Sequence, residues 1–289
     1  MRVGFIGLGH IGADMAKSLA AAPFELTVFD VAPGALSPFE GIARLVGTAA
    51  DVGRHSEIVG VCVRDDVQLR AALTGPDGLL EGIGKRGIIL VHSTVRATTI
   101  RELSRVASDR GVDLIDAAVS RTVQGQAARF VCSMVGGDPA IMERARPVLE
   151  AFSTAIVHAG PLGAGMVIKA CNNLTTFIEY TAAHESFRLA EANGIDTTVL
   201  RQVMTANGNL TPSMAAFMSF RATGTTRLGQ AEFTALQTRM GKLCEKDLDV
   251  ALDLAGDSGL TLPATERARA LILDVFENKP KQRAATLQG

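Results

Sequence analysis

Lys169, Asn172, Asn173 and Thr176 follow one another at the spacing i, i+3, i+4 and i+7. On an α-helix that spacing puts all four on one face. From Met166 to about Asn193 the chain reads as one long helix, free of proline, with Val167, Ile168, Ala170, Cys171, Leu174, Phe177 and Ile178 filling most other positions. A lysine with two amides among aliphatic side chains is costly unless those groups meet a polar ligand. A solvated surface face is the competing reading, but such faces carry more charge than this one. An amine so placed can take a proton from a hydroxyl or return it to a carbonyl oxygen. To accept one it must first shed its own, which burial and a neighbouring positive charge both favour. Amides beside it suit the anchoring of a hydroxyl, a carboxylate or the lysine itself.

A second feature stands at the other end. An apolar strand from Arg2 runs into Gly7-Leu8-Gly9-His10-Ile11-Gly12, followed by a helix read over Ala13–Ala22. In a Gly-x-Gly-x-x-Gly turn the first glycine makes the bend and the second admits a pyrophosphate to the backbone. The third lets helix and strand close together, with the anion on the helix N-terminus. The motif alone is weak evidence. Here a second strand, Glu25–Asp30, follows and ends in an acid eighteen residues past Gly12, where the adenosine ribose hydroxyls would be bound. An acid there repels a 2′-phosphate, and no arginine follows closely, so NAD is expected over NADP.

These residues sit in a chain of 289 residues, net charge −1 and 47% apolar, long enough for two domains with cores of their own. Trp is absent, Tyr occurs once, and no basic patch is interleaved with aromatics, which argues against a nucleic-acid partner. No apolar run approaches a membrane span. The chain opens directly on its first strand without a charged leader and cleavage site, so the cytoplasm is expected. Cys62, Cys132, Cys171 and Cys244 are scattered through apolar segments, as structural thiols would be, and the five histidines form no pair at ligand spacing. No metal site is expected.

Apolar runs at 2–8, 25–30, 57–63, 87–92, 112–119, 130–136 and 155–159 alternate with helix-like stretches in the first half. That pattern implies a Rossmann-type, doubly wound, mostly parallel sheet. After Gly165 only helical periodicity remains, with turn signals at Gly194, Gly208-Asn209, Gly224, Gly256 and Gly259. The expected domains are 1–163, binding the cofactor, and 164–289, all-helical, linked by the long helix. The tail from Asn278 reads as frayed or as a small packing arm. The long helix and the methionine-rich stretch Met214–Met218 exceed what a small helical domain buries alone, so a homodimer or homotetramer through that domain is expected.

With these residues in view, the chain resembles the β-hydroxyacid dehydrogenase family over nearly its whole length. Gly163-x-Gly165-x-x-x-Lys169-x-x-Asn172-Asn173 is similar to the family's catalytic signature, Asp116-Ala-Ala-Val-Ser120 to its substrate motif, and Ser93-Thr94 to its step beside the nicotinamide ribose. Lys246-Asp247-Leu248 resembles a helical-domain motif whose lysine reaches the cofactor. The resemblance implies an NAD-dependent dehydrogenase or reductase of a small 3-hydroxy acid or related anionic aldehyde, with Lys169 in proton transfer. Gly7 to Gly12, Asp30, Val63, Arg64, Gln68, Thr94 and Lys246 would meet the cofactor, the loop after the third strand through its backbone. Ser120, Arg121, Thr122, Asn172, Asn173 and Thr176 would meet the substrate. Ala118 replaces a proline of the motif, Arg121-Thr122 replace two glycines, and His92 stands where an acid is common. The guanidinium of Arg121 offers a fork for an anion. Imine reduction, methyl transfer and a non-catalytic NAD-binding scaffold are the alternatives; the Lys169 stripe speaks against each.

Overall fold

The computed structural model describes residues 1–122 and 128–278. The chain divides into two compact units, Met1–Lys169 and a second from Ala170 onward. The C-terminal tail expected as a frayed end or packing arm lies, from residue 279, outside the described residues.

The first unit is built on eight strands: β1 (Arg2–Ile6), β2 (Glu25–Phe29), β3 (Arg44–Leu45), β4 (Ile58–Val61), β5 (Ile88–Val91), β6 (Asp113–Arg121), β7 (Val131–Gly136) and β8 (Ser153–Gly160). They form one sheet in the order β3-β2-β1-β4-β5-β6-β7-β8. Every neighbouring pair is parallel except β6 with β7. The doubly wound, mostly parallel sheet read from the sequence is therefore present. The two-residue β3 leaves no mark in the sequence pattern, being too short to carry an alternation. β4 and β5 are buried at every residue, because helices cover both faces of a parallel sheet. Ile88, Leu90, Ala117 and Val119 join one core with Met15 and Leu19, while Ile89, Val91 and Ala118 join the other with Leu69 and Ile100. The strand period of two assigns those faces.

Helix α1 (His10–Ala20) begins three residues earlier than its apolar pattern suggests, with Gly9 as N-cap. α2 (Ala49–Arg54), α3 (Asp66–Thr74) and α6 (Pro139–Glu150) start on side-chain caps from Thr48, Asp65 and Asp138, which satisfy first-turn N–H groups. α4 (Leu79–Gly82) and α5 (Ala97–Ser108) complete this unit.

The long helix is α7 (Ala164–Ala192). The second unit adds α8 (Thr197–Ala206), α9 (Pro212–Leu228), α10 (Gln230–Asp257) and α11 (Pro263–Glu277). Its core gathers Phe177, Phe187, Phe217, Leu248, Ile272 and Phe276, with Tyr180 stacked on Phe217 at 4.3 Å between ring centres. Two sequence readings change here. Gly224 is no break: it lies within α9, where a Cβ would stand 1.9 Å from the Phe233 ring. The turn comes at Gly229, with φ +77°. Met214, Phe217 and Met218 are buried in this unit's own core, so they give no ground for association. Among the described residues no helix is long and apolar enough to cross a membrane.

Candidate active site

The strand order reverses direction at β1, which has β2 on one side and β4 on the other. In open α/β sheets that switch point leaves a crevice at the strand C-termini, and the glycine turn lies there. Gly7 has φ +92°, and a Cβ on it would stand 2.3 Å from the Cys62 carbonyl oxygen. A Cβ on Gly12 would stand 2.1 Å from the Gly7 carbonyl oxygen. Gly9 meets nothing within 4 Å. Two glycines are thus demanded by the fold, and the middle one opens toward a ligand. α1 carries neither a side-chain cap nor an acid in its first turn, leaving its positive end available to a pyrophosphate. These residues fit the dinucleotide that the motif implies.

Leu8 N–H donates to Asp30 Oδ2 at 2.6 Å and Ala32 N–H to Oδ1 at 2.8 Å. The carboxylate is thereby fixed beside the turn. Leu8 is buried, Ile11 partly so, and His10 is exposed. In the loop after β4, Val63 N–H donates to Ser93 Oγ at 2.7 Å, and Arg64 N–H to Gln68 Oε1 at 3.1 Å. Gln68 therefore braces the loop with its side chain. Thr94, half-buried, follows the buried Ser93 at the end of β5.

His92 occupies the position before them and is 3% exposed. Its Nδ1–H donates to the Ala117 carbonyl at 2.7 Å, and its ring lies between Phe5 and Phe152. Burial holds the imidazole down at about 4. It is a neutral core residue.

Along β6, Asp116, Ala118 and Ser120 alternate with Ala117, Val119 and Arg121 and so face opposite sides. The structure does not bring Arg121 together with Ser120, although the two are adjacent in sequence. The guanidinium pairs with Asp14 of α1 and lies 4.8 Å over the Phe130 ring. Asp14, 107 positions away, cannot be read as its partner from sequence. Thr122 belongs to the β6–β7 pairing, its N–H donating to the Phe130 carbonyl at 2.9 Å. Asp116, in sequence only the first residue of a motif, is fully buried. Its oxygens accept from Gly163 N–H at 2.7 Å and Met166 N–H at 2.9 Å. Burial raises its pKa, opposed by those backbone donors.

On α7, Lys169 is 9% and Asn173 5% exposed, Thr176 is half-buried, and Asn172 is exposed. Val167 and Ile168 are exposed rather than walling in the lysine. Within the helical unit, Asn173 Nδ2 donates to Asp247 Oδ2 at 2.7 Å, and Lys246 Nζ stands 2.9 Å from Asp247 Oδ1. A carboxylate only accepts, so this bond fixes which way the Asn173 amide points. Its Oδ1 then faces Asn172 Nδ2, at 3.5 Å. Asp247 is 6% exposed and is the member of the cluster that the sequence reading missed. Its adjacency to Lys246 was the available signal. The same contact draws Asn173 and Lys246 together.

Residues 2–160 match the family described as "NAD binding domain of 6-phosphogluconate dehydrogenase". Residues 163–286 match "NAD-binding of NADP-dependent 3-hydroxyisobutyrate dehydrogenase". An uncharacterized oxidoreductase of Mycobacterium tuberculosis is 35% identical over 268 residues, 92% of this chain and 90% of its own. The NAD-dependent L-serine dehydrogenase of Pseudomonas aeruginosa is 31% identical over 271 residues, 93% of this chain and 90% of its own. The structure of M. tuberculosis 3-hydroxyisobutyrate dehydrogenase with L-serine is similar with a TM-score of 0.81 at 27% identity, covering 96% of this chain and 98% of that one.

Proposed function

Given that the chain belongs to the β-hydroxyacid dehydrogenase family, we propose that it oxidises a small 3-hydroxy acid, or reduces the matching semialdehyde, with NAD. Lys169 is the proton-transfer residue in this reading. The nicotinamide, when bound, takes up or supplies the hydride. The neutral amine of Lys169 receives the hydroxyl proton as the carbonyl forms; in reverse, its ammonium returns a proton to the carbonyl oxygen. Asn173, its amide fixed by Asp247, and Asn172 beside it hold the hydroxyl or the carboxylate. Ser120 adds a hydroxyl from β6, and Thr176 extends the stripe.

One observation carries the reading: Lys169 is nine-tenths buried on the helix face where Asn173 is held by a buried carboxylate. Burial of these two polar groups supports a helix face held for a ligand over a solvated one, with Asn172 exposed beside them. NAD is favoured because Asp30, fixed beside the glycine turn, can accept from ribose hydroxyls and repels a 2′-phosphate. The backbone from Gly7 to Gly12, the loop Val63–Arg64 braced by Gln68, Thr94 and Lys246 complete the proposed cofactor contacts. Leu189, Ile195, Val199 and Val203 are at least half exposed, and a homodimer or homotetramer would cover them; light scattering reads this directly. Free thiols at all four cysteines suit the cytoplasm.

The test is a substrate panel run with NAD: 3-hydroxyisobutyrate and L-serine against neutral primary alcohols of similar size. Turnover confined to the acids is expected. Equal turnover of the neutral alcohols would refute the substrate class.

A further inference from the structure

We propose that Asp116 is a positioning residue: its carboxylate clamps the first turn of α7 to β6 and so fixes where Lys169 stands, without touching substrate. The proposal rests on Lys169 as the proton-transfer residue. Asp116 lies within β6, paired with Val91 of β5 and Gly136 of β7. One oxygen accepts from Gly163 N–H, just before α7, and the other from Met166 N–H, its third residue. The first N–H groups of a helix have no partner within it, and a negative charge there meets the positive end of the helix dipole. One carboxylate, about fifty residues away in sequence, supplies both.

Two glycines let the backbone close on this group. A Cβ at Gly136 would stand 2.5 Å from Asp116 Oδ1 and 2.8 Å from Ala164 N. A Cβ at Gly165 would stand 2.3 Å from the Met134 carbonyl oxygen and 2.7 Å from Asp116 Oδ2. The carboxylate is sealed, with no exposed surface, so substrate cannot reach it. Lys169 follows Met166 by one turn on the same helix. Any drift of that first turn is carried to the amine, and displacement by about 1 Å can cost on the order of a hundredfold in rate.

Asp116→Asn keeps the shape but sets an amide N–H₂ against a backbone donor. With 3-hydroxyisobutyrate and L-serine as substrates, kcat is expected to fall about 10- to 100-fold while KM and the Kd of NAD stay within about threefold. Labelling of Lys169 by acetic anhydride, read by mass spectrometry, needs no substrate and is expected to rise severalfold. Val135→Ala, a cavity on the opposite face of β7, controls for lost stability and should leave both readouts unchanged. If Asp116→Asn does not fold, Asp116→Ser, which keeps a small polar acceptor but is too short to bridge both N–H groups, is measured in its place, with the same two outcomes. A rise in KM at unchanged kcat would make Asp116 a substrate contact and overturn the proposal. So would unchanged Lys169 labelling, or equal losses in Val135→Ala. Lys169→Ala run in parallel separates the two claims. Activity surviving there defeats the proton-transfer reading, whereas an inactive Lys169→Ala beside a fully active Asp116→Asn defeats only the positioning role.

Discussion

His92 gives stability a measurable dependence on pH. Its imidazole, stacked on Phe5 and edge-on to Phe152 with Nδ1–H on the Ala117 carbonyl, is held by burial at about 4 against an ordinary 6.5. The unfolded chain therefore binds more protons than the folded one between those values. Stability is fully present above pH 6.5 and is lost as the pH falls toward 4. For this one group the loss relative to pH 8 is about 2 kcal/mol at pH 5 and about 3 kcal/mol at pH 4. His184, held at about 4 by burial and by the Arg221 guanidinium, adds a loss of the same sign, so wild type alone does not isolate His92. His92→Asn does, since its amide nitrogen can still donate to the Ala117 carbonyl but does not titrate. Urea unfolding at pH 8, 6 and 5 should show the stability gap between variant and wild type narrowing by about 2 kcal/mol. Parallel pH curves would refute the claim that burial keeps this histidine neutral.

Asp247→Ala frees the buried Asn173 amide to rotate and should lower kcat/KM about 10- to 100-fold, as truncation of a buried charged hydrogen-bond partner does; steady-state kinetics check it. Arg121→Ala should leave KM for an anionic substrate within about threefold and cost under about 1 kcal/mol of stability, because the guanidinium is engaged in a half-exposed pair with Asp14. A rise in KM of thirtyfold or more would return it to the anion-binding role its sequence position suggests. Asp30 should favour NAD over NADP by about 2 kcal/mol, or roughly thirtyfold in kcat/KM, and a preference for NADP measured on wild type would sink that assignment.

Features that follow from local periodicity were legible in the sequence. The buried runs around Val59 and Ile89, the glycine turn at Gly7–Gly12 and the stripe from Lys169 to Thr176 each express a period or a spacing that the backbone imposes. What escaped depends on partners distant along the chain. Asp116 reads as a substrate motif until Gly163 and Met166 are seen folded onto it, and Asn173 shows no preferred amide orientation until Asp247 lies opposite. Arg121 follows Ser120 directly, yet strand alternation sends the two to opposite faces. Gly224 looks like a turn because glycine serves both turns and close approach, and only the Phe233 ring distinguishes them. The exposed Val167 and Ile168 show that an apolar residue beside a buried lysine need not be the one that buries it.

The central claim is that Lys169 moves the proton, and Lys169→Ala tests it most directly. With NAD and the best 3-hydroxy acid of the panel, kcat is expected to fall about a hundredfold or more while the Kd of NAD, followed by fluorescence, stays within about twofold. A variant that keeps a third or more of the wild-type kcat would contradict the account.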